Sequence, residues 1–214
     1  MRAPGRDSAS TLSRLRRRLE ALRASSQGVA AVEFAIVLPV MVLMYLGMSE
    51  LTFGISTDRK ITLLSRTLAD LTGRATTVDS SAMDTIFAAS TSVMAPYNSS
   101  LAQMVVSSIV VTDTGTKDSS GNPIVQGAVC WSSAKGPGAV ALTKGTKVTV
   151  PDGFKTVNSS YIQADVTMPY TPVFGTGILQ MVTNRSSITL SDHTPWPVRN
   201  VKEVVWTGTS ACLP

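Results

Sequence analysis

Residues 28–48 form an apolar segment that is long enough to cross a lipid bilayer. The segment has 21 residues and carries a single charge, at Glu33. At about 1.5 Å of rise per residue, a helix of this length spans roughly 31 Å, which matches the thickness of a hydrocarbon core. A bilayer accepts such a segment as a helix because every backbone hydrogen bond is then made internally. We therefore predict a transmembrane helix over residues 29–50.

The net charge of the chain is concentrated before this segment. The first 27 residues hold seven arginines against Asp7 and Glu20, a net charge of +5, and the chain as a whole also has a net charge of +5. The other residues hold 12 basic and 12 acidic side chains and are therefore neutral overall. By the positive-inside rule, residues 1–28 are a basic cytoplasmic leader and the part after the helix is exported. No aromatic residue lies among these arginines to stack on bases, so we expect no nucleic-acid partner.

A cleavable secretory signal is the alternative interpretation of the apolar segment. The uncharged stretch 34–48 has a length that such signals use. However, Glu33 lies inside the apolar block, and no pair of small residues suited to signal cleavage follows Met48. A helical pattern continues there instead, which favours a helix that is retained.

The only two cysteines, Cys130 and Cys212, both lie on the predicted exported side. Two thiols in an oxidising compartment are typical of one structural disulfide. Such a bond closes a loop of 83 residues. On the loop-entropy argument, it stabilises the fold by about 4 kcal/mol. The chain has one histidine, so a catalytic thiol is not expected.

The helix is predicted to continue beyond the membrane. Ile61, Leu64, Leu68 and Leu71 recur at steps of three and four residues, which places them on one helix face that a sheet can cover. We predict one helix over about 29–72, with Gly73 ending it. Pro39 removes one backbone donor inside this helix and favours a kink.

The rest of the chain is predicted to combine one further helix with a sheet. Asp79 is placed to cap a helix over about 80–94. Runs rich in β-branched residues predict strands, and a polar turn at 117–123 joins the first two as a hairpin. The strand candidates are 104–112, 124–132, 147–150, 161–168, 178–182, 187–190 and 201–206.

The predicted fold class is therefore α+β. A long N-terminal transmembrane helix continues into an amphipathic helix and packs on a mainly antiparallel, pilin-like sheet. The predicted divisions are the leader 1–28, the transmembrane helix 29–50, an amphipathic helical region 51–95 and a β-rich periplasmic domain 96–214.

The start of the apolar helix resembles that of the TadE-like pseudopilins, membrane proteins of the Tad/Flp pilus machinery of bacteria. The likeness lies in the sequence GVAAVEFAIVLP of residues 28–39, with a glycine, a glutamate five residues later, an adjacent aromatic and a proline, and in Glu50 at the end of the span. A weaker likeness lies further along the chain, in the sequence VTMPYTP of residues 166–172 with the apolar run after it, in residues 188–190 and in the pair Pro197 and Arg199.

The resemblance implies a processing and assembly role for this segment. A prepilin peptidase would cut after Gly28 and leave Val29 as the new N-terminus. Glu33, next to Phe34, would then recognise a free amine, its own or that of a neighbouring subunit. The implied partners are the inner membrane, other pilin or pseudopilin subunits and Tad assembly proteins. A glutamate that reaches the lipid–water boundary without any partner is the simpler alternative for Glu33.

The sequence shows no motif typical of catalysis or of a metal or cofactor site. Ser191, Asp192 and His193 are adjacent in the chain, which is the wrong arrangement for a catalytic triad. One histidine and two distant cysteines do not make a zinc site. We expect a non-enzymatic protein without cofactor or metal. Three hypotheses remain: a minor pseudopilin, an uncleaved bitopic scaffold of the same machinery, and a membrane-anchored periplasmic enzyme or ligand-binding domain.

Overall fold

The structure is a computed structural model that describes residue 20 and residues 26–213. Most of the predicted basic leader lies outside the described residues. The chain divides into two units, Met1–Ser49 and Glu50–Pro214. Each unit is described by itself below.

Helix α1, Ser26–Arg74, begins in the first unit and continues into the second. The prediction of one long helix is confirmed. Between residues 29 and 48 nearly every side chain is exposed on all sides of the helix. By its length and composition, this helix is a candidate membrane span. It also continues through Pro39 without interruption.

The second unit is a mixed α+β body, as predicted. After α1 it contains the helices α2, Ser80–Thr91, and α3, Thr176–Thr183. Its strands are β1, Thr77–Val78; β2, Gln103–Lys117; β3, Pro123–Lys135; β4, Lys147–Val148; β5, Ser159–Tyr170; β6, Ile188–Pro197; and β7, Val205–Trp206. The side chain of Asp79 accepts a hydrogen bond from the amide of Ala82, so the predicted cap of α2 is confirmed.

The main sheet has five antiparallel strands in the order β4-β3-β2-β5-β6. The predicted hairpin of β2 and β3 is confirmed. Pairing of β2 with β5 ends at Val111, so beyond that residue β2 pairs with β3 alone. Both edges of the sheet are unusual, because β4 has two residues and β6 carries Pro195 and Pro197.

The apolar stripe of α1 packs on one face of this sheet. Ile61, Leu64 and Leu68 are fully buried, as the periodicity predicts, whereas Leu71 is only half-buried. On the strands, every second residue contributes to the same core, as expected for a sheet with one covered face. These strand residues are Met104, Val106, Val110, Ile162, Ala164, Val166 and Met168. The hydroxyl of Ser65 donates to the carbonyl oxygen of Ala164 at 3.0 Å, so helix and sheet are also joined by a buried hydrogen bond.

The opposite face of the sheet carries a smaller core. Its buried members are Ile109, Val111, Val129, Val150 and Tyr161. The ring of Phe154 packs on that of Tyr161 with the centroids 4.9 Å apart. The long loop between β3 and β5 therefore covers this face.

The C-terminal segment is bound to the body by a disulfide and a buried carboxylate. Cys130 on β3 is bonded to Cys212, with their Cα atoms 5.9 Å apart, so the predicted disulfide is confirmed. The buried Glu203 accepts hydrogen bonds from the amides of Cys212 and Leu213. The indole of Trp131 donates to the carbonyl oxygen of Val204 at 2.7 Å. These contacts hold residues 203–213 against the sheet.

Three local predictions are wrong. Residues 178–182 belong to helix α3 and not to a strand, because a short apolar run does not distinguish the two periods. The signal for the helix lies at its end, where Asn184 adopts the left-handed conformation with φ 55°. The strand predicted over 201–206 shortens to β7, which pairs in parallel with β1 outside the main sheet.

Gly73 does not end α1, which is the third wrong prediction. The glycine lies in the last turn, one residue before the end of the helix. A Cβ there would come within 3.0 Å of the carbonyl oxygen of Pro197, and the amide of Arg199 donates to the carbonyl of Gly73 itself. Glycine at this position therefore allows β6 to approach closely, since a side chain would require the backbone at Pro197 to shift.

Asp70 joins the end of α1 to the segment after β6. Its carboxylate pairs with Arg74 and with Arg199, and it accepts a hydrogen bond from the indole of Trp196 at 3.1 Å. Burial raises the pKa of Asp70, but the two guanidinium groups and the indole outweigh it and hold the pKa below its usual value. The ionised carboxylate is therefore stabilised by the fold.

We expect Asp70→Asn to lower the free energy of unfolding at pH 7 by about 1.5–3 kcal/mol, since it removes charge-assisted hydrogen bonds. The pKa of Asp70 is lower in the folded state than in the unfolded state. The carboxylate therefore stabilises fully above the unfolded pKa, roughly 4, and this is lost as the pH falls through the folded value. The wild-type chain should consequently lose more stability than Asp70→Asn on acidification below pH ~4. Urea unfolding of the full chain in detergent, followed by tryptophan fluorescence, measures both effects.

Asp84→Asn is the matched control. It removes an ion pair with Lys135 in which both side chains are more than half exposed. Such pairs contribute at most about 1 kcal/mol. Equal losses for the two variants would contradict the role given to Asp70.

Candidate functional site: the apolar helix and the carboxylate at its end

The residues predicted for processing and assembly all lie on the exposed part of α1. Val29 and Phe34 have 58% and 59% of their surface exposed, and Glu33 is also exposed. Residues four apart lie on the same face of a helix, one turn of about 5.4 Å apart. The structure therefore brings Val29 and Glu33 together on one face of α1. Phe34 follows Glu33 directly and lies on the adjacent face of the helix.

This part of α1 has the surface of a helix that needs an apolar environment. Exposed apolar side chains surround it, including Ile36, Val37, Val40, Met41, Leu43, Met44 and Met48. Glu33 is the one charged side chain among residues 28–48. A charge inside a membrane costs roughly 2.5–3.5 kcal/mol at the centre on insertion scales, and it usually has a partner. Ala31 and Ala35 are four residues apart, a spacing that allows close approach of another helix.

Glu50, the first residue of the second unit, binds three donors. Its Oε1 accepts the phenol of Tyr170 at 2.7 Å and the amide of Val173 at 2.8 Å. Its Oε2 accepts the amide of Phe174 at 3.0 Å. Burial and the bond to Glu50 raise the pKa of Tyr170 to about 12, so the phenol remains a donor. Glu50 thus fixes the loop after β5 to α1.

The residues around Glu50 leave space for this arrangement. One turn after Glu50 comes Gly54, where an added Cβ would lie 3.7 Å from the Tyr170 ring. An added Cβ at Gly175 would lie 3.9 Å from the Glu50 side chain. The ring and the loop therefore pack directly on the helix.

The structure unites residues that the sequence analysis noted separately. Glu50 and residues 170–172 meet here, and Pro197 and Arg199 meet the end of α1. The donors Val173 and Phe174 were missed, because backbone amides leave no residue-specific signal in a sequence.

Ser191, Asp192 and His193 are not arranged as a catalytic triad. His193 lies on β6, exposed, with its Nδ1 2.8 Å from Oδ1 of Asp165. Asp192 instead accepts the hydroxyl of Thr194, on the other side of the strand. Adjacent strand residues point to opposite faces, so Asp192 cannot orient His193.

One group of possible metal ligands occurs among the described residues. Cys130, Glu203 and Cys212 have ligand atoms within 4.8 Å of one another. Both sulfur atoms belong to the disulfide, and the carboxylate accepts backbone amides. These residues therefore fit a structural clasp better than a metal site.

Comparison with known proteins agrees with the resemblance of the helix. Residues 28–70 match the sequence model of the family described as TadE-like protein. The match includes Gly28, Glu33 and Glu50 and ends at Asp70, before the body's sheet. No curated protein and no solved structure shows significant similarity to the chain.

We expect Glu50→Gln to release the loop after β5. In glutamine, an NH2 group replaces one of the two acceptor oxygens of the carboxylate. This NH2 group would face the backbone N–H of Val173 or Phe174, so that two donors oppose each other. A hydrogen bond to a charged group contributes about 1.5–3 kcal/mol, so amide hydrogen exchange over residues 171–175 should accelerate roughly tenfold or more. Hydrogen exchange of the full chain in detergent, read by mass spectrometry, measures this.

Asp58→Asn serves as the control, because it removes an exposed carboxylate two turns further along α1. Exchange over residues 171–175 should be unchanged in that variant. An unchanged rate in Glu50→Gln would show that the carboxylate does not hold the loop.

Proposed function

We propose that this chain is a minor pseudopilin of a Tad-type pilus or secretion apparatus. The observation that carries the proposal is the family match over residues 28–70, with Gly28, Glu33 and Phe34 at the start of an exposed apolar helix. The helix anchors the subunit in the inner membrane and packs against other pilin or pseudopilin helices. The body, on the periplasmic side, contacts Tad assembly proteins.

The charge distribution supports this orientation. The leader carries +5 whereas the rest of the chain is neutral. Lysine and arginine near a span favour the cytoplasmic side. A disulfide in the body also fits an oxidising compartment.

Processing provides the partner that Glu33 needs. Cleavage after Gly28 by a prepilin peptidase frees the amine of Val29, one helical turn from Glu33. An ion pair between Glu33 and this amine, or that of a neighbouring subunit, offsets the cost of a carboxylate in the membrane. The ion pair between Glu33 and the amine of a neighbouring Val29 can thus form when one subunit joins another.

We further propose that the body acts through protein contacts and without turnover. Its single histidine is paired with Asp165 on the surface of the sheet, and both cysteines are used in the disulfide. These observations support binding over catalysis.

The first test is the intact mass of the membrane-extracted protein. Processing predicts loss of residues 1–28 in the wild-type chain and retention in Gly28→Val, because the larger side chain obstructs the peptidase. Gly47→Val is the control, since an added Cβ at Gly47 meets no atom within 4 Å, and it should be cleaved normally. A full-length wild-type chain would instead support the uncleaved bitopic scaffold.

The second test is Glu33→Gln, which keeps the size of the side chain and removes its charge. We expect normal membrane insertion and a decrease of roughly 10–100-fold in association with other subunits, the loss expected for a charged hydrogen bond. Crosslinking in membranes and counting of pili measure the loss. Glu20→Gln is the control, because Glu20 belongs to the leader that processing removes. Normal assembly in Glu33→Gln would refute the pairing.

A further inference from the structure

We propose that residues 171–184 form an interfacial membrane-contact segment. This segment comprises the loop after β5 and helix α3. Val173, Phe174 and Met181 insert into the boundary between lipid headgroups and acyl chains, beside the end of the transmembrane span. The inference rests on α1 being a membrane anchor, but it does not depend on processing or on entry into a filament.

Three apolar side chains of this segment are exposed in the body. The exposed fractions are 67% for Val173, 56% for Phe174 and 88% for Met181. Moving such side chains out of water into an apolar environment is favourable. Leu51 and Phe53, next to Glu50 on α1, are also exposed, so apolar surface is present on both sides of the Glu50 contact.

Glu50 fixes the depth of the segment. It follows Met48 by two residues, which is about 3 Å along a helix axis. Its carboxylate binds the amides of Val173 and Phe174 at 2.8 and 3.0 Å. The start of the segment is therefore held at the level where the apolar span ends, which is the interfacial region of the bilayer.

The hydrogen bonds of Glu50 also suit the segment to this environment. A loop that approaches hydrocarbon must have its backbone donors satisfied, since each free donor costs several kcal/mol. The carboxylate satisfies two consecutive amides, and the phenol of Tyr170 and these amides in turn compensate its charge. A loop without such an acceptor would lose its favourable position in the interface.

The polar groups at both ends of the segment match the headgroup region. Tyr170, half-buried, precedes the segment, and tyrosine is enriched at membrane interfaces. The exposed Arg185 follows it directly, and a guanidinium on a long side chain can reach lipid phosphates. Lipid is thus favoured over a protein partner as the occupant, because the exposed apolar residues Val173 and Phe174 are bound to Glu50, which follows the apolar stretch of the chain by two residues, and because they are flanked by groups that prefer headgroups.

The test measures the depth of single labels in the full chain reconstituted in nanodiscs. Met181→Cys and Val173→Cys each provide one thiol for an environment-sensitive fluorophore, because the disulfide leaves no other free thiol among the described residues. We expect quenching by brominated lipids at a depth of about 5–10 Å below the headgroup boundary. Adding Glu50→Gln should move both labels towards water.

Ile124→Cys is the matched control. Ile124 is apolar, 44% exposed, and lies near the tip of the β2–β3 hairpin. The carbonyl oxygen of Ile124 accepts the hydroxyl of Thr114. Thr114 lies eleven residues along β2 from Gln103, and Gln103 is at the end of the sheet where β5 leads into the segment. Ile124 is therefore about 36 Å from that end. Its label should be water-exposed and not quenched by lipid.

Each outcome decides the proposal. Lipid quenching at residues 173 and 181, without quenching at residue 124, supports it. Water-exposed labels on a chain that has entered nanodiscs overturn the interfacial segment and leave the pseudopilin proposal intact. Labels that are shielded from water but not quenched by lipid indicate packing against a second copy and also overturn it. A chain that does not enter nanodiscs overturns both proposals.

Discussion

The body is organised by the contact between the second half of α1 and the sheet. Ile61, Leu64 and Leu68 are fully buried against alternate residues of β2 and β5, and the bond from Ser65 to Ala164 fixes the helix along β5. This contact uses one face of α1, and the other elements of the body pack against the same core or against the opposite face of the sheet. Helix α2 and the C-terminal segment extend the same core, and the loop after β3 covers the opposite face.

Two carboxylates, twenty residues apart on α1, add directional contacts to this packing. Glu50 binds the loop after β5, and Asp70 binds the segment after β6. Burial of a carboxylate is costly, but each of these has several donors that compensate it. The two ends of the helical segment in the body are thus held to the loop after β5 and to the segment after β6 by charge-assisted hydrogen bonds.

The features that follow from periodicity and local chemistry could be predicted from the sequence. The 28–48 segment, the stripe at Ile61, Leu64 and Leu68, the Asp79 cap and the β2–β3 hairpin each have a local pattern, and the structure contains all four. The disulfide followed from the count of cysteines.

The predictions that failed concern features that depend on tertiary contacts. Residues 178–182 have no distinguishing period, and β7 pairs with β1, which is far away in sequence. Gly73 lies inside the last turn of the helix, where it allows the close approach of Pro197. The candidate site divides in the same way, because the spacing of Gly28 and Glu33 is a pattern in the sequence, whereas the donors to Glu50 are backbone amides, which leave no such pattern.

The edges of the sheet have a consequence for how copies of this protein can associate. Prolines at 195 and 197 remove amide donors at alternate positions of β6, and the opposite edge is a strand of only two residues. Free sheet edges invite the addition of strands from other chains, and proline and short edge strands discourage it. Ordered polymerisation through backbone ladders, of the kind that leads to amyloid, is therefore disfavoured at both sides of the sheet. Copies of this chain at high local concentration would have to recognise one another by side-chain surfaces.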